Sequence, residues 1–114
     1  MSNPDAQRVR IIGGRFRGRV IRFPKAPGLR PTPDRVRETL FNWLGQDLTD
    51  LSTLDLYAGS GALSLEALSR GAAVAVAVDR DPVLVRAIAA TAETFGAVGL
   101  EGHAAQARSW LQRE

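Results

Sequence analysis

Asp55, Tyr57, Gly59 and Gly61 form the spacing Asp-x-Tyr-x-Gly-x-Gly, and another carboxylate, Asp79, follows Gly59 by 20 residues. The apolar run Thr53-Leu54-Asp55-Leu56-Tyr57 leads into the glycines. Ala62-Leu63-Ser64-Leu65-Glu66-Ala67-Leu68 leaves them with helical character. A strand, a tight glycine turn and a helix start form the place where an open parallel sheet holds a nucleotide-like cofactor. Glycines let the backbone come close to a ligand, and the helix N-terminus offers unpaired N–H groups. An acid about 20 residues further on is placed to meet ribose hydroxyls.

The same residues bear on which cofactor is held. A dinucleotide fingerprint asks for a third glycine at position 64, where this chain has Ser64. An acid just before the turn opposes a pyrophosphate and suits a cation. S-adenosyl-L-methionine carries a sulfonium and an ammonium and no phosphate, so a methyl-transfer enzyme is favoured over a dinucleotide enzyme. A turn that needs glycines only for its shape stays open, but it leaves Asp55 and Asp79 without a role.

Charge divides the chain. Residues 1–37 hold ten Lys/Arg against Asp5 and Asp34, a net +8, whereas residues 38–114 hold five basic and ten acidic residues, a net −5. This asymmetry reads as a basic, nucleic-acid-facing module on an acidic body, with a solvated basic surface as the plainer alternative. Nine of the ten are Arg, which binds phosphate bidentately and stacks on bases. No amphipathic helix carries the charge, so a membrane partner is not expected. The chain has no cysteine, which excludes disulfides and thiolate metal sites, and no metal site is expected. No apolar run reaches membrane-spanning length and no secretory signal pattern is present, so a cytoplasmic protein is expected.

These residues need elements to position them. Val9–Ile12 and Arg19–Phe23 read as strands of a β-hairpin around Gly13–Gly18, with Arg15, Phe16 and Arg17 at the tip. An aromatic between two arginines can stack on an unpaired base, or fold back onto the core. Four prolines between Pro24 and Pro33 make an extended connector. Thr32 then reads as the N-cap of a helix with Pro33 at its first position. Val36, Leu40, Trp43 and Leu44 form its apolar stripe, which puts Trp43 in the core. Strands near Leu54–Tyr57, Ala73–Val78 and Val98–His103 alternate with helices ending at Arg70, Phe95 and Arg113. The Ala73–Val78 run has no polar face and suits a strand covered on both sides. The fold class expected is α/β: an N-terminal β-hairpin and connector (1–30), then a partial Rossmann-like parallel half sheet (31–114) of strand order 3-2-1.

Three segments resemble the bacterial 16S rRNA (guanine-N2) methyltransferase family. They are Arg10-Ile11-Ile12-Gly13-Gly14-Arg15-Phe16-Arg17-Gly18-Arg19, the run from Arg30-Pro31-Thr32-Pro33-Asp34-Arg35 to Trp43-Leu44, and the stretch from Leu54 to Ala72. The resemblance implies methyl transfer from S-adenosyl-L-methionine to the exocyclic amine of a guanine in small-subunit rRNA. Free rRNA or an assembling small ribosomal subunit would be the partner. It also implies that Asp55, Gly59 and Gly61, beside Tyr57, hold the methionine end and Asp79 the ribose. Gln106 stands where the family has an Asp against the adenine amine, and Thr91 where an Asn is common. For RNA, the expected contacts are Arg15, Phe16, Arg17, Arg19, Arg22 and Arg30. The family's Asp-Pro-Pro-Phe/Tyr catalytic motif does not occur in these residues; the one Asp-Pro, Asp81-Pro82, lies in the second βα turn. The expectation is therefore an N-terminal fragment, inactive alone, with no catalytic residue assignable. A non-catalytic RNA-binding fragment and a methyltransferase for another substrate are the alternatives.

Overall fold

The computed structural model describes residues 6–26, 29 and 32–112. An antiparallel hairpin comes first, β1 (Ala6–Arg10) and β2 (Val20–Pro24), followed by α1 (Asp34–Leu44). Three βα units follow: β3 (Ser52–Asp55) with α2 (Ala62–Ser69), β4 (Val74–Asp79) with α3 (Pro82–Phe95), and β5 (Leu100–Ala104) with α4 (Ala107–Gln112). The three later strands are parallel, in the order β3-β4-β5. This is the α/β half sheet that the alternation of elements implies.

Local chemistry sets the ends of these elements. Asp81 caps α3, its side chain accepting from the Val83 N–H at 2.9 Å, with Pro82 in the first turn and Gly96 in the left-handed conformation at the end. The cap of α1 differs from expectation. Pro33, not Thr32, is the N-cap residue, and the Thr32 carbonyl instead accepts from the Arg37 guanidinium at 3.0 Å. The first hairpin strand lies earlier than its hydrophobic run suggests, because the Ile12 and Gly13 N–H groups turn to donate to Glu66 of α2, and the second lies one residue later.

One core unites the hairpin with the sheet. Val9, Ile11, Phe16, Ile21 and Phe23 pack in the same cluster as Leu65, Ala75, Ala77, Ile88 and Phe95. Burying this apolar surface is the main driving force holding the hairpin down. β4 is covered unevenly. Ala75 and Ala77 are fully buried against the cluster, whereas Val74 and Val76 on the other face are half-buried. Val78, on that same face, is completely buried, so the expectation of cover on both faces holds for one face and for the other only at its C-terminal end among the described residues.

Seven of the eight residues of α2 are buried, and its central residue is an acid. The Glu66 carboxylate accepts from the Ile12 and Gly13 N–H groups at 2.9 and 3.0 Å and from Arg70 Nε at 2.9 Å. Arg37 Nε lies 3.7 Å from it. Arg37 is completely buried and also donates to the Arg10 carbonyl and, at 2.8 Å, to Asp34. Arg37 thus belongs to the interior, although by sequence it counts within the basic N-terminal segment.

That ion pairing decides which face of α1 turns inward. Arg37 and Phe41, one helical turn apart, are its buried residues, and Arg70 stacks on the Phe41 ring with 4.7 Å from guanidinium carbon to centroid. The stripe Val36, Trp43 and Leu44 is exposed, with Trp43 at 82%, which corrects its expected place in the core. The stripe is apolar, but no described element covers it. Leu40 and Leu44 instead border a groove of about 320 Å³ beside Thr53–Tyr57 of β3, whose outer edge pairs with no described strand.

Two predictions follow from this packing. Glu66→Ala leaves the buried Arg70 guanidinium without an ion-pair partner and the Ile12 and Gly13 N–H groups without an acceptor, which should cost about 3–5 kcal/mol in urea denaturation; a shift under about 1 kcal/mol would show that the hairpin is held by apolar packing alone. An open apolar strand edge is a template for pairing, so residues 1–114 should self-associate in sedimentation runs, and Leu54→Lys should return them to monomer. A wild-type chain that stays monomeric at high concentration contradicts this.

Candidate cofactor cleft

The C-terminal ends of β3 and β4 bring Asp55 and Asp79 together. In the parallel register Asp55 pairs with Ala77, so Asp79 lies two residues beyond it on the adjacent strand. The glycine turn folds back over both: the Ala58 N–H donates to the Val78 carbonyl and the Gly61 N–H to the Ala58 carbonyl, at 2.9 and 2.8 Å. Asp55 accepts from the Tyr57 N–H at 3.0 Å. Asp79 accepts from the Gly59 N–H through one oxygen and the Asp81 N–H through the other, each at 2.9 Å. Both carboxylates are therefore oriented by backbone and keep lone pairs for a ligand.

The cleft in front of them measures about 450 Å³ and is lined by Asp55, Tyr57, Gly59, Asp79 and Asp81, with Leu29, Leu84 and Ala58 as apolar wall. A second hollow of about 570 Å³ adjoins it, sharing Tyr57, Asp79 and Arg80 and extending to Leu56, Gln106 and Arg108. The residues expected to bind a cofactor are thus gathered along one continuous trough, with one difference. Gly61 lines neither hollow. Its φ is +84°, and a Cβ there would sit 2.7 Å from the Ile88 side chain. Its positive φ and the close approach of α3 are by themselves enough to require glycine there. A Cβ on Gly59 would likewise meet the Leu29 side chain at 2.8 Å.

Ala26, Leu29 and Thr32 of the proline-rich connector form part of the wall. Sequence reasoning missed them, since an extended connector gives no signal of where it lies. The arginines expected to bind RNA line neither hollow. Arg15, Arg17, Arg19 and Arg22 are exposed, and Arg30 lies outside the described residues. Phe16 does not project. It is 6% exposed and packs on Phe95 with ring centroids 5.6 Å apart, so the fold-back alternative applies and its ring is closed to a base. The hairpin loop is pulled down by Ser69, whose hydroxyl accepts from the Phe16 N–H and whose carbonyl accepts from the Arg15 N–H, at 2.9 and 2.7 Å.

Residues 9–114 match the family described as conserved hypothetical protein 95. The chain belongs to this family. Among curated relatives, the Escherichia coli K12 ribosomal RNA small subunit methyltransferase D is 62% identical over 73 residues, covering 64% of this chain and 37% of that protein. The Haemophilus influenzae protein of the same name is 42% identical over 96 residues, covering 83% and 50%. The chain therefore spans half or less of the length of these relatives. Among solved structures, a hypothetical protein of Thermus thermophilus superposes with a TM-score of 0.77 at 34% identity, covering 92% of this chain and 60% of that one. A precorrin-6y C5,15-methyltransferase from Geobacter metallireducens does so with 0.63 at 28% identity, covering 81% and 49%. The family has methyltransferases among its relatives by sequence and by fold, in agreement with the resemblance read from its motifs.

The cleft is electrostatically poised. Burial pushes the Asp55 carboxyl above its ordinary value near 3.8; the Tyr57 N–H opposes this, and the neighbouring Asp79 charge adds to it. A raised carboxyl favours the folded state below pH 3.8, and that contribution is lost as the pH rises through the raised value. At neutral pH the ionised Asp55 therefore costs stability, which a bound cation relieves. Asp55→Asn should raise the urea midpoint at neutral pH, with a gain that fades as the pH approaches 3.8, and should weaken binding of a cationic ligand. A variant less stable than wild type at neutral pH would contradict this.

Proposed function

We propose that this chain forms the cofactor-binding and RNA-facing part of an S-adenosyl-L-methionine-dependent methyltransferase acting on the exocyclic N2 amine of a guanine in small-subunit rRNA, in the cytoplasm. The observation that carries the reading is the pair Asp55 and Asp79 at adjacent strand ends, facing one trough. A pyrophosphate would meet two carboxylates there, with Asp81 as a third in the same wall. A ligand with an ammonium and a sulfonium is matched in charge and leaves no phosphate to repel.

In this reading Asp55 binds the ammonium of the methionine end and Asp79 accepts from the ribose hydroxyls. Gln106, at the far end of the trough with Tyr57 between, faces the adenine amine. Leu29 and Leu84 line the cleft as apolar wall and would limit water around a bound cofactor. The bound cofactor supplies a methyl group on a cationic sulfur that leaves as a neutral thioether. What these residues supply is orientation and charge. A guanine amine is a weak nucleophile because its lone pair is delocalised into the ring. Groups that accept its hydrogens would sharpen it, and no Asp-Pro-Pro-aromatic segment lies within these 114 residues. Residues 1–114 are thus assigned binding, and no catalytic residue is named among them. The names of the relatives support rRNA or an assembling small subunit as the partner.

Calorimetry on residues 1–114 tests this. S-adenosyl-L-methionine should bind and NAD should not, and Asp79→Ala should weaken the former by about 1.5–3 kcal/mol, the worth of hydrogen bonds to a charged group. Equal affinity for both cofactors would refute the assignment. Labelled methyl groups appearing in 16S rRNA with residues 1–114 alone would show that the acceptor-activating groups lie within them.

A further inference from the structure

The hairpin has two faces, and only one is used by the fold. Val9, Ile11, Ile21 and Phe23 point into the core. The other face carries Arg8 and Arg10 from β1 and Arg22 from β2, all exposed. The register places Arg8 directly opposite Arg22, and Arg10 opposite Val20. Side chains of directly opposed residues stand about 4.5–5.5 Å apart at Cβ, and like charges in that position destabilise a sheet. Along β1, Arg8 and Arg10 are about 6.5–7 Å apart on the same face.

Nothing in the hairpin offsets this repulsion. Residues 6–26 contain seven basic residues and no acidic one. Among the described residues, Arg8, Arg10 and Arg22 make no ion pair and no side-chain hydrogen bond. Several of the other arginines differ, whereas Arg17 in the loop is exposed and likewise makes no ion pair or side-chain hydrogen bond among the described residues. Arg37 and Arg70 are spent inside, on Glu66. Arg19 lies over the Phe95 ring at 4.4 Å and reaches the Thr94 carbonyl, and Arg15 lies over Phe16 at 5.3 Å. Among the described residues, three of the hairpin's four unpartnered arginines therefore stand on the outer ladder at spacings fixed by strand register, and the fourth, Arg17, is in the loop. The strand that displays Arg22 runs on within four residues to Ala26, in the wall of the cofactor cleft.

We infer that the outer ladder Arg8–Arg22–Arg10 is the docking surface for the RNA backbone, and that the loop Arg15–Arg17 is secondary to it. This rests on the proposed rRNA substrate. A polyanion with phosphates along a strand meets three guanidinium groups at fixed spacing and removes the cross-strand repulsion on binding. The surface carries register but no base identity, because its contacts are to phosphate.

The experiment measures RNA affinity of residues 1–114 against salt, using a 16S-derived stem-loop with an unpaired guanine. Arg8→Gln with Arg22→Gln should lower the salt slope by about 1.4, two phosphate contacts at about 0.7 each on single-stranded RNA. Arg15→Gln with Arg17→Gln should change it by less than half as much. A second readout separates docking from folding. Arg8→Glu replaces a repelling pair with an attracting one, so it should hold or raise the melting temperature while abolishing RNA binding. A slope unchanged by the Arg8/Arg22 variant but lowered by the Arg15/Arg17 variant overturns the ladder and leaves the rRNA reading intact. A wild type that binds S-adenosyl-L-methionine but no RNA, or that binds phosphatidylglycerol vesicles through Arg8 and Arg22 instead, overturns the rRNA reading together with the ladder.

Discussion

A single buried carboxylate organises this half of the molecule. Glu66 is fully buried in a helix whose other faces are apolar, an arrangement that is costly unless every lone pair is met. Here two backbone N–H groups and two guanidinium groups meet it. Its partners come from three different stretches of chain. Ile12 and Gly13 follow the first hairpin strand, Arg37 belongs to α1, and Arg70 closes α2. The carboxylate thus fixes the hairpin, the helix before the sheet and the helix after the glycine turn in one step. Hydrophobic burial supplies most of the driving force but has no direction. Glu66 supplies the direction.

The cleft inverts that logic. Asp55 and Asp79 are held by backbone donors but are given no cation of their own. Arg80 borders both hollows, yet no ion pair joins it to either acid among the described residues. Two acids close together in a partly buried site raise the free energy of the empty state. A cationic ligand of the kind proposed would gain that difference on entering. The contrast between Glu66 and Asp55 is one of partner supply: Glu66 finds its cations inside the chain, and Asp55 has none among the described residues.

The βα units are legible in the sequence because their signals are local. Gly59 and Gly61, the Asp81-Pro82 start and the Gly96 stop each act over a few residues, and all stand where their chemistry implies. The Asp55–Asp79 pairing is legible too, since parallel strands joined by a right-handed crossover must bring their C-terminal ends together. What escapes such reading depends on partners distant in sequence. The stripe Val36–Leu40–Trp43–Leu44 is apolar as its spacing says, but it does not turn inward, because Arg37 is claimed by an acid 29 residues away. Phe16 looks like a tip residue because nothing local announces that Ser69 holds the loop down. Leu29 and Thr32 escape notice as cleft wall for the same reason. Periodicity identifies which residues are alike, but not which neighbour each will meet.

The eight-residue helix α2 begins at the glycine turn and ends in the turn of chain that grips the hairpin loop through Glu66 and Ser69. A helix of that length spans about 12 Å and does not bend appreciably without a Pro, Gly or bulge. It works as a gauge block. The hairpin cannot swing toward or away from the cleft without tearing the bonds at one end of the block. If the chain binds RNA as proposed, a strand laid across both would have to conform to a set gap, and the burden of shape change would fall on the RNA. Selection of a target nucleotide would then be a matter of which RNA segment can span that gap with its base turned out.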